Sequence, residues 1–220
     1  GTELVAKSPA DGYTLLVTYA GSQAVNQSLY PKLAFDSVKD FQTVATIAVT
    51  PFLLIVNNSV PAKTLKELIA LARAKPELLS YASSGNGSVN HLLGEMLKVD
   101  AGIRMRHIPY KGVGAAMTDM LSGQVQFSFL SGGSIYSQVR SGKLRGLATT
   151  GAKRVESYAD LPTMGESGGP AMQVELWNGF LAPGGTPGPV VNRLAAEINR
   201  IAKTSDLPQV LATQGTTPTT

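Results

Sequence analysis

Four short stretches carry residue types suited to holding a small anion: Gly21-Ser22, residues 83–88, residues 110–112 and residues 131–134. The richest is Ser83-Ser84-Gly85-Asn86-Gly87-Ser88, with His91 one turn further on. Its glycines let backbone N–H groups turn inward, Ser88 can cap the helix that follows, and the helix dipole favours negative charge at that end. It is neither a Walker loop, which needs Gly-Lys-Ser/Thr, nor a dinucleotide fingerprint, which needs a third glycine where Asn90 stands. An ordinary strand-to-helix turn has the same composition, so the stretch points to an anion only together with the others. The candidate ligand-binding residues are Ser22, Ser83, Ser84, Asn86, Gly87, Ser88, His91, Tyr110, Ser131 and Gly132. Tyr110, just after a strand end, suits a pocket wall and a core edge equally.

Catalytic readings do poorly. His91 and His107 are the only histidines and lack metal spacing, and there is no cysteine to serve as thiolate ligand or nucleophile. No Gly-x-Ser-x-Gly elbow is present for a serine hydrolase. His91 reads as a structural residue or a donor that orients a neighbour rather than a base. Trp177 could stack on a ligand, but a lone Trp beside a strand is more often core. The sequence implies no metal and no cofactor.

The elements that must position these residues alternate. Residues 13–19 read as a buried strand leading through Gly21-Ser22 into a short helix that ends near Tyr30. Residues 52–56 form an apolar run between Pro51 and Asn57-Asn58, which favours a strand. Thr64 and Glu67 make a capping box for a helix whose apolar stripe is Leu65, Leu68, Ile69 and Ala72 and which Pro76 ends. Strands follow over 80–83, 104–109, 125–130 and 144–149, separated by helices over 89–99, 113–122 and 135–140. Leu92, Leu93, Met96 and Leu97 are expected to face inward from the first of these helices. The alternation implies an α/β fold with a parallel sheet and helices on both faces. After a Pro-, Gly- and acid-rich connection over 160–170, residues 177–183 read as a strand. A helix then opens on Pro189 with Val190, Leu194, Ile198 and Ile201 as its apolar face, and a last one starts near Asp206. Residues 214–220 read as a loop and residues 2–7 as the last turns of a helix, so both ends look cut.

Composition narrows the class. The chain has 220 residues, 43% hydrophobic and only 15% charged, which excludes a disordered tail and suits one large domain or two small ones. No apolar run approaches a membrane span and no leader pattern starts at Gly1, so an exported form would be mature or trimmed. Residues 51–178 hold 13 Lys and Arg against 9 Asp and Glu, which accounts for the whole net charge of +4. A mildly positive segment can draw small anions, but clustered basic residues interleaved with aromatics, as nucleic acid requires, are missing.

An ordered set of stretches carries a resemblance: Ser8-Pro-Ala-Asp-Gly-Tyr-Thr-Leu-Leu16, Asp36-Ser-Val-Lys-Asp-Phe41, Tyr81-Ala-Ser-Ser-Gly-Asn-Gly-Ser88 with His91, and Pro109-Tyr-Lys-Gly112. Further matches are Gly123-Gln-Val125, Gly142-Lys-Leu-Arg-Gly-Leu-Ala148, Leu161-Pro-Thr163 with Glu166 and Gly168, and Ala182-Pro-Gly-Gly-Thr-Pro187. With these the chain resembles the Bug-type receptors, the periplasmic solute-binding proteins of tripartite tricarboxylate transporters. The resemblance implies a type II periplasmic-binding-protein fold, with two α/β lobes, crossover strands near 47–51 and 177–183, and a ligand cleft between the lobes. One lobe would comprise residues 51–178, complete. The other would comprise 1–50 and 179–220, incomplete, because family members begin with a strand, a Pro- and Gly-rich loop and a helix and continue past residue 220.

What the resemblance implies for function is capture of a small carboxylate (a di- or tricarboxylate, an aromatic acid or an amino acid) in the periplasm. Membrane subunits of the transporter would be the partner, with no nucleic acid, no membrane insertion and no catalysis. A ligand-sensing module signalling to a regulatory partner is the alternative, and an enzyme on the same scaffold a third reading, disfavoured by the lack of a convergent acid, base and nucleophile. Gln126 departs from the family pattern, standing where many members carry Asp.

Overall fold

The computed structural model describes residues 1–30, 32–76, 78–213 and 215–219, and for Ser134 the backbone alone. Gln214 and Thr220 of the expected terminal loop, and the side chain of Ser134, lie outside the described residues. The chain divides into two compact units, one formed by Gly1–Val49 with Leu176–Thr220 and the other by Thr50–Glu175.

The second unit holds the anion-suited stretches. Its sheet is built from β2 (Phe41–Asn57), β3 (Ser80–Ser83), β4 (Arg106–Pro109), β5 (Phe127–Ser131) and β6 (Leu144–Thr149). The spatial order is β6-β2-β5-β3-β4. β3 lies parallel to both β4 and β5, whereas β2 runs antiparallel to β5 and β6. The sheet is therefore mixed, not parallel throughout as the alternation of elements suggests. The cause is β2, a 17-residue strand that enters from the first unit already extended instead of following a crossover helix. Pro51 sits where β2 passes from its partners at Ala48 and Val49 to those at Phe52 and beyond, a position that needs no ladder donor.

Helices cover both faces. α3 (Leu65–Ala74) starts at the expected box, with Thr64 Oγ1 accepting from Glu67 N–H at 3.2 Å and Lys63 N–H donating to Glu67 Oε2 at 2.6 Å. α5 (Val113–Ser122) and α6 (Gly132–Arg140) pack Ala116, Met120 and Ile135 on the face carrying Leu53, Ile55, Ala82 and Leu130. α4 (Val89–Ala101) takes the opposite face, where the Tyr81 ring lies against Gly94. Its buried stripe is Asn90, Leu93, Gly94, Leu97 and Ala101, so Met96, expected inward, is instead 39% exposed. The Tyr81 ring fills the space over Gly94, and Asn90 lies inside on the same stripe.

In the first unit, β1 (Leu16–Tyr19) pairs antiparallel with β7 (Glu175–Pro183), β7 lies beside β2, and β2 pairs with β8 (Thr217–Pro218). That last strand falls inside the expected terminal loop. α1 (Thr2–Ala6) packs Val5 on Phe41 and Leu181. On the other face α7 (Gly188–Thr204) packs Val191, Leu194 and Ile198 near Val44 and Ala182, leaving Ile201 exposed. A π-helical turn over Gly21–Val25 and α2 (Asn26–Leu29) follow β1, and α8 (Leu207–Thr213) follows α7.

Candidate functional site

Because β3, β4 and β5 run parallel and each feeds a helix, α4, α5 and α6 all begin at the carboxyl edge of the same strands. That edge presents first-turn N–H groups, which have no partner within their own helix, and the positive ends of helix dipoles. The connections involved, residues 84–88, 110–112 and 131–132, contain one charged side chain, Lys111. A small anion at this edge would meet amides, hydroxyls and dipoles, with a single cation nearby.

The 84–88 loop is held by its own side chains. Ser88 caps α4: its Oγ accepts from His91 N–H at 3.4 Å and donates to Gly85 O at 2.6 Å. Gly85 and Gly87 have φ of 134° and 78°, a region that side chains resist. Gly85 N–H donates to Ser83 Oγ at 3.1 Å and Gly87 N–H to His91 Nδ1 at 3.1 Å. Ser84 Oγ donates to Asn90 Oδ1 at 2.9 Å. Tyr110 N–H donates to Ser83 O at 3.0 Å, which sets the β4–α5 connection beside this loop.

Ser83, Gly87, Ser88 and His91 are thus joined through Gly85 in one hydrogen-bonded cluster with Tyr110 adjacent, Ser84 is tied to Asn90 beside it, and Asn86 is the exposed tip. Ser83 is fully buried and acts as a support. Ser131 precedes α6 at the end of β5, next to β3. Gly132 is buried, and a Cβ there would stand 1.9 Å from the Tyr158 hydroxyl, so close packing accounts for that glycine. Ser22 belongs to the first unit, on its π-helical turn. Tyr110 packs on the core and donates through its hydroxyl to Asp119 Oδ2 at 2.7 Å; burial and then that carboxylate push it up to about 12.

Two contributors escape a reading by motif. Asn90, noted only as a missing glycine, anchors Ser84 from the buried stripe of α4. His107 Nε2 lies 2.6 Å from Ser83 Oγ, and its ring is stacked between Tyr81 and His91, with centroids 4.9 and 4.1 Å away. Polar residues on an otherwise apolar stripe, and a histidine on a short strand, were the available signals. Burial, followed by the repulsion that a second imidazolium at His91 would exert, holds His107 below its ordinary value. Beneath the stack, burial acts to raise Glu95, but Lys98 and the Tyr81 hydroxyl, both bonded to it, hold the carboxyl below the usual glutamate range. Burial and Glu95 push the Tyr81 phenol up, so it remains a donor.

Gln126 lies at the opposite, amino end of β5. Its Oε1 accepts from Ser80 N–H and Oγ at 2.9 and 2.8 Å, and its Nε2 donates to Gly123 O at 3.1 Å. A carboxylate could not make that last bond, so the amide serves the turn before β5. Among the described residues no group of three or more His, Cys, Asp or Glu could hold a metal, and no helix is long and apolar enough to cross a membrane.

A mixed α/β sheet in a chain of two units, with helix starts gathered at one strand edge, is an arrangement that solved periplasmic binding proteins share. The chain belongs to the tripartite tricarboxylate transporter receptor family, whose model matches residues 1–220. It is 34% identical over 216 residues to a protein encoded in the tcbD–tcbE intergenic region of Pseudomonas sp. strain P51, covering 98% of this chain and 64% of that one. It is also 34% identical over 219 residues to BugT of Bordetella pertussis, covering 99% and 67%. The chain thus spans about two thirds of the length of the curated relatives it matches.

Solved homologues include Rpa4515 of R. palustris with adipate (33% identity, TM-score 0.88, 99% of this chain and 73% of that one). The periplasmic binding protein BugD (32%, TM-score 0.86, 100% and 73%) and MatC of Rhodopseudomonas palustris with bound malate (31%, TM-score 0.84, 98% and 74%) are similar. The family is one of solute-binding receptors. The Bug-type resemblance and the expected α/β binding-protein fold are borne out.

Proposed function

We propose that this protein is a periplasmic receptor that captures a small carboxylate at the carboxyl edge of β3, β4 and β5 and delivers it to the membrane subunits of a tripartite tricarboxylate transporter. The observation that carries this reading is the convergence of the α4, α5 and α6 amino ends on loops whose only charged side chain is Lys111. Dipoles and oriented amides hold a carboxylate without the desolvation cost of a buried guanidinium partner. Residues 84–88 with Tyr110 and Ser131 form the ligand edge, and Ser83, His91 and Gly132 support it from below. Adipate and malate in the solved homologues support the ligand class. Ser83 Oγ lies 2.6 Å from His107 Nε2, but Ser83 is fully buried and holds the loop, so this reading has the ligand leave unchanged.

Mass analysis of the protein as purified from bacteria, with calorimetry against malate and adipate, tests the reading. A retained or added carboxylate should bind in a 1:1 ratio and be recovered intact. Recovery of a chemically altered carboxylate, or saturation by a neutral solute and by no carboxylate, would overturn it.

A further inference from the structure

The 84–88 loop is fastened to a pair of stacked imidazoles. Gly87 N–H donates to His91 Nδ1 at 3.1 Å, while Gly85 N–H reaches Ser83 Oγ, which in turn lies 2.6 Å from His107 Nε2. The two rings stack with centroids 4.1 Å apart and planes 22° from parallel. A nitrogen that accepts needs a free lone pair, so the Gly87 bond defines His91 as neutral, with its proton on Nε2. That Nε2 faces Glu95 Oε1 at 4.0 Å. An imidazolium carries N–H at both nitrogens and accepts nothing. Protonation at Nδ1 would set two donors against each other and expel the Gly87 amide.

We propose that His91 is a proton-operated latch on the 84–88 loop: neutral, it holds Gly87 and the carboxylate-binding geometry; charged, it releases Gly87 and weakens binding. The inference about binding rests on the carboxylate reading given above. His91 acts here as a positioning residue, through Gly87. The titratable groups that face the ring are Glu95 and Lys98 on α4, Tyr81 on β3 and His107 on β4. Glu95 carries the negative charge nearest the ring, Lys98 at 2.8 Å from that carboxylate offsets part of it, and His107 stacks on the ring. Tyr81 stays a neutral donor to Glu95 at 2.6 Å, and residues 83–88 add no charge. A charged His91 beside the Glu95–Lys98 pair leaves this group with a net positive charge, which by itself would attract a carboxylate; release of Gly87 acts against that pull. Loss of the loop geometry is the larger effect.

Amide NMR of the chain between about pH 8 and about pH 5, the range in which imidazole titrates, tests the latch without any ligand. The Gly87 amide is expected to shift with the same midpoint as the His91 ring. Its exchange with solvent, corrected for the intrinsic pH dependence, should speed about tenfold, as loss of one hydrogen bond implies. His91→Gln, whose Oε1 can accept the same N–H without titrating, should leave Gly87 flat, while His107→Gln should leave it titrating. A Gly87 amide that stays still while His91 titrates in the wild type overturns the proposal, whatever the variants do. So does one that still titrates in His91→Gln. Malate and adipate affinities should fall several-fold between about pH 8 and about pH 5 in the wild type, with that dependence lost in His91→Gln. Binding that ignores pH while Gly87 titrates overturns the link to affinity. Gly87 titration without binding of any carboxylate supports the latch and counts against the carboxylate reading instead.

Discussion

Ser88 performs two tasks with one hydroxyl, capping α4 through His91 N–H and tying Gly85 O across the turn. Ser88→Ala should cost about 1 kcal/mol in stability, as lost caps do, and weaken carboxylate binding as well. Urea unfolding reads the first effect and calorimetry the second; normal affinity in a destabilised variant would move the ligand away from this loop. His107 carries a pH dependence of opposite origin to an ion pair. Its folded value is depressed from 6.5, so below that pH the unfolded chain takes up the proton first. The stability it confers is complete above 6.5 and drains as pH falls through the lower folded value. Urea midpoints of the wild type should decline across that window more steeply than those of His107→Gln, and parallel declines would contradict the assignment. Gly132→Ala should force the Tyr158 hydroxyl aside at a cost of about 1–3 kcal/mol, the usual range for overpacking. An unfolding midpoint equal to wild type would show that Tyr158 yields freely.

At the scale of elements, local signals were legible and pairing directions were not. The Thr64–Glu67 box, the 80–83 strand and the Ser88 cap are written in adjacent residues, and each is where its spacing puts it. The antiparallel course of β2 depends on partners 70 to 100 positions away, such as Ser131 and Thr149 for Phe52 and Leu53, and no local pattern encodes it. The His91–His107 stack likewise joins a helix to β4, three strands along from β2, and the intervening residues include a helix end and a turn. Met96 was misplaced because helical periodicity alone cannot report that Tyr81 fills the space over Gly94.

Pairing also sets local stability. β3 is bonded on both sides, by β4 and β5, whereas β1 is bonded by β7 and has no second partner among the described residues. Val17 and Tyr19 on β1 are 66% and 47% exposed. An edge strand with open donors and exposed apolar side chains opens readily and invites pairing. Hydrogen exchange should therefore be fast at Leu16–Tyr19 and slow at Ser80–Ser83. Equal protection in a dilute monomer would mean that β1 has a partner on its open side.

Across the whole molecule, the net charge of +4 resides in residues 51–178, the span that also holds the α4, α5 and α6 starts. On the proposed reading a long-range positive field would bring a carboxylate in and short-range amides would orient it, so raising ionic strength should slow capture more than release. The most direct measurement is amide NMR of the chain titrated with malate and with adipate. The account predicts that the largest shifts fall at residues 84–88, 110–112 and 131–132, with Gln126 and the amino ends of the strands unmoved. Shifts confined to other parts of the chain, with these three connections unchanged at saturation, would contradict it.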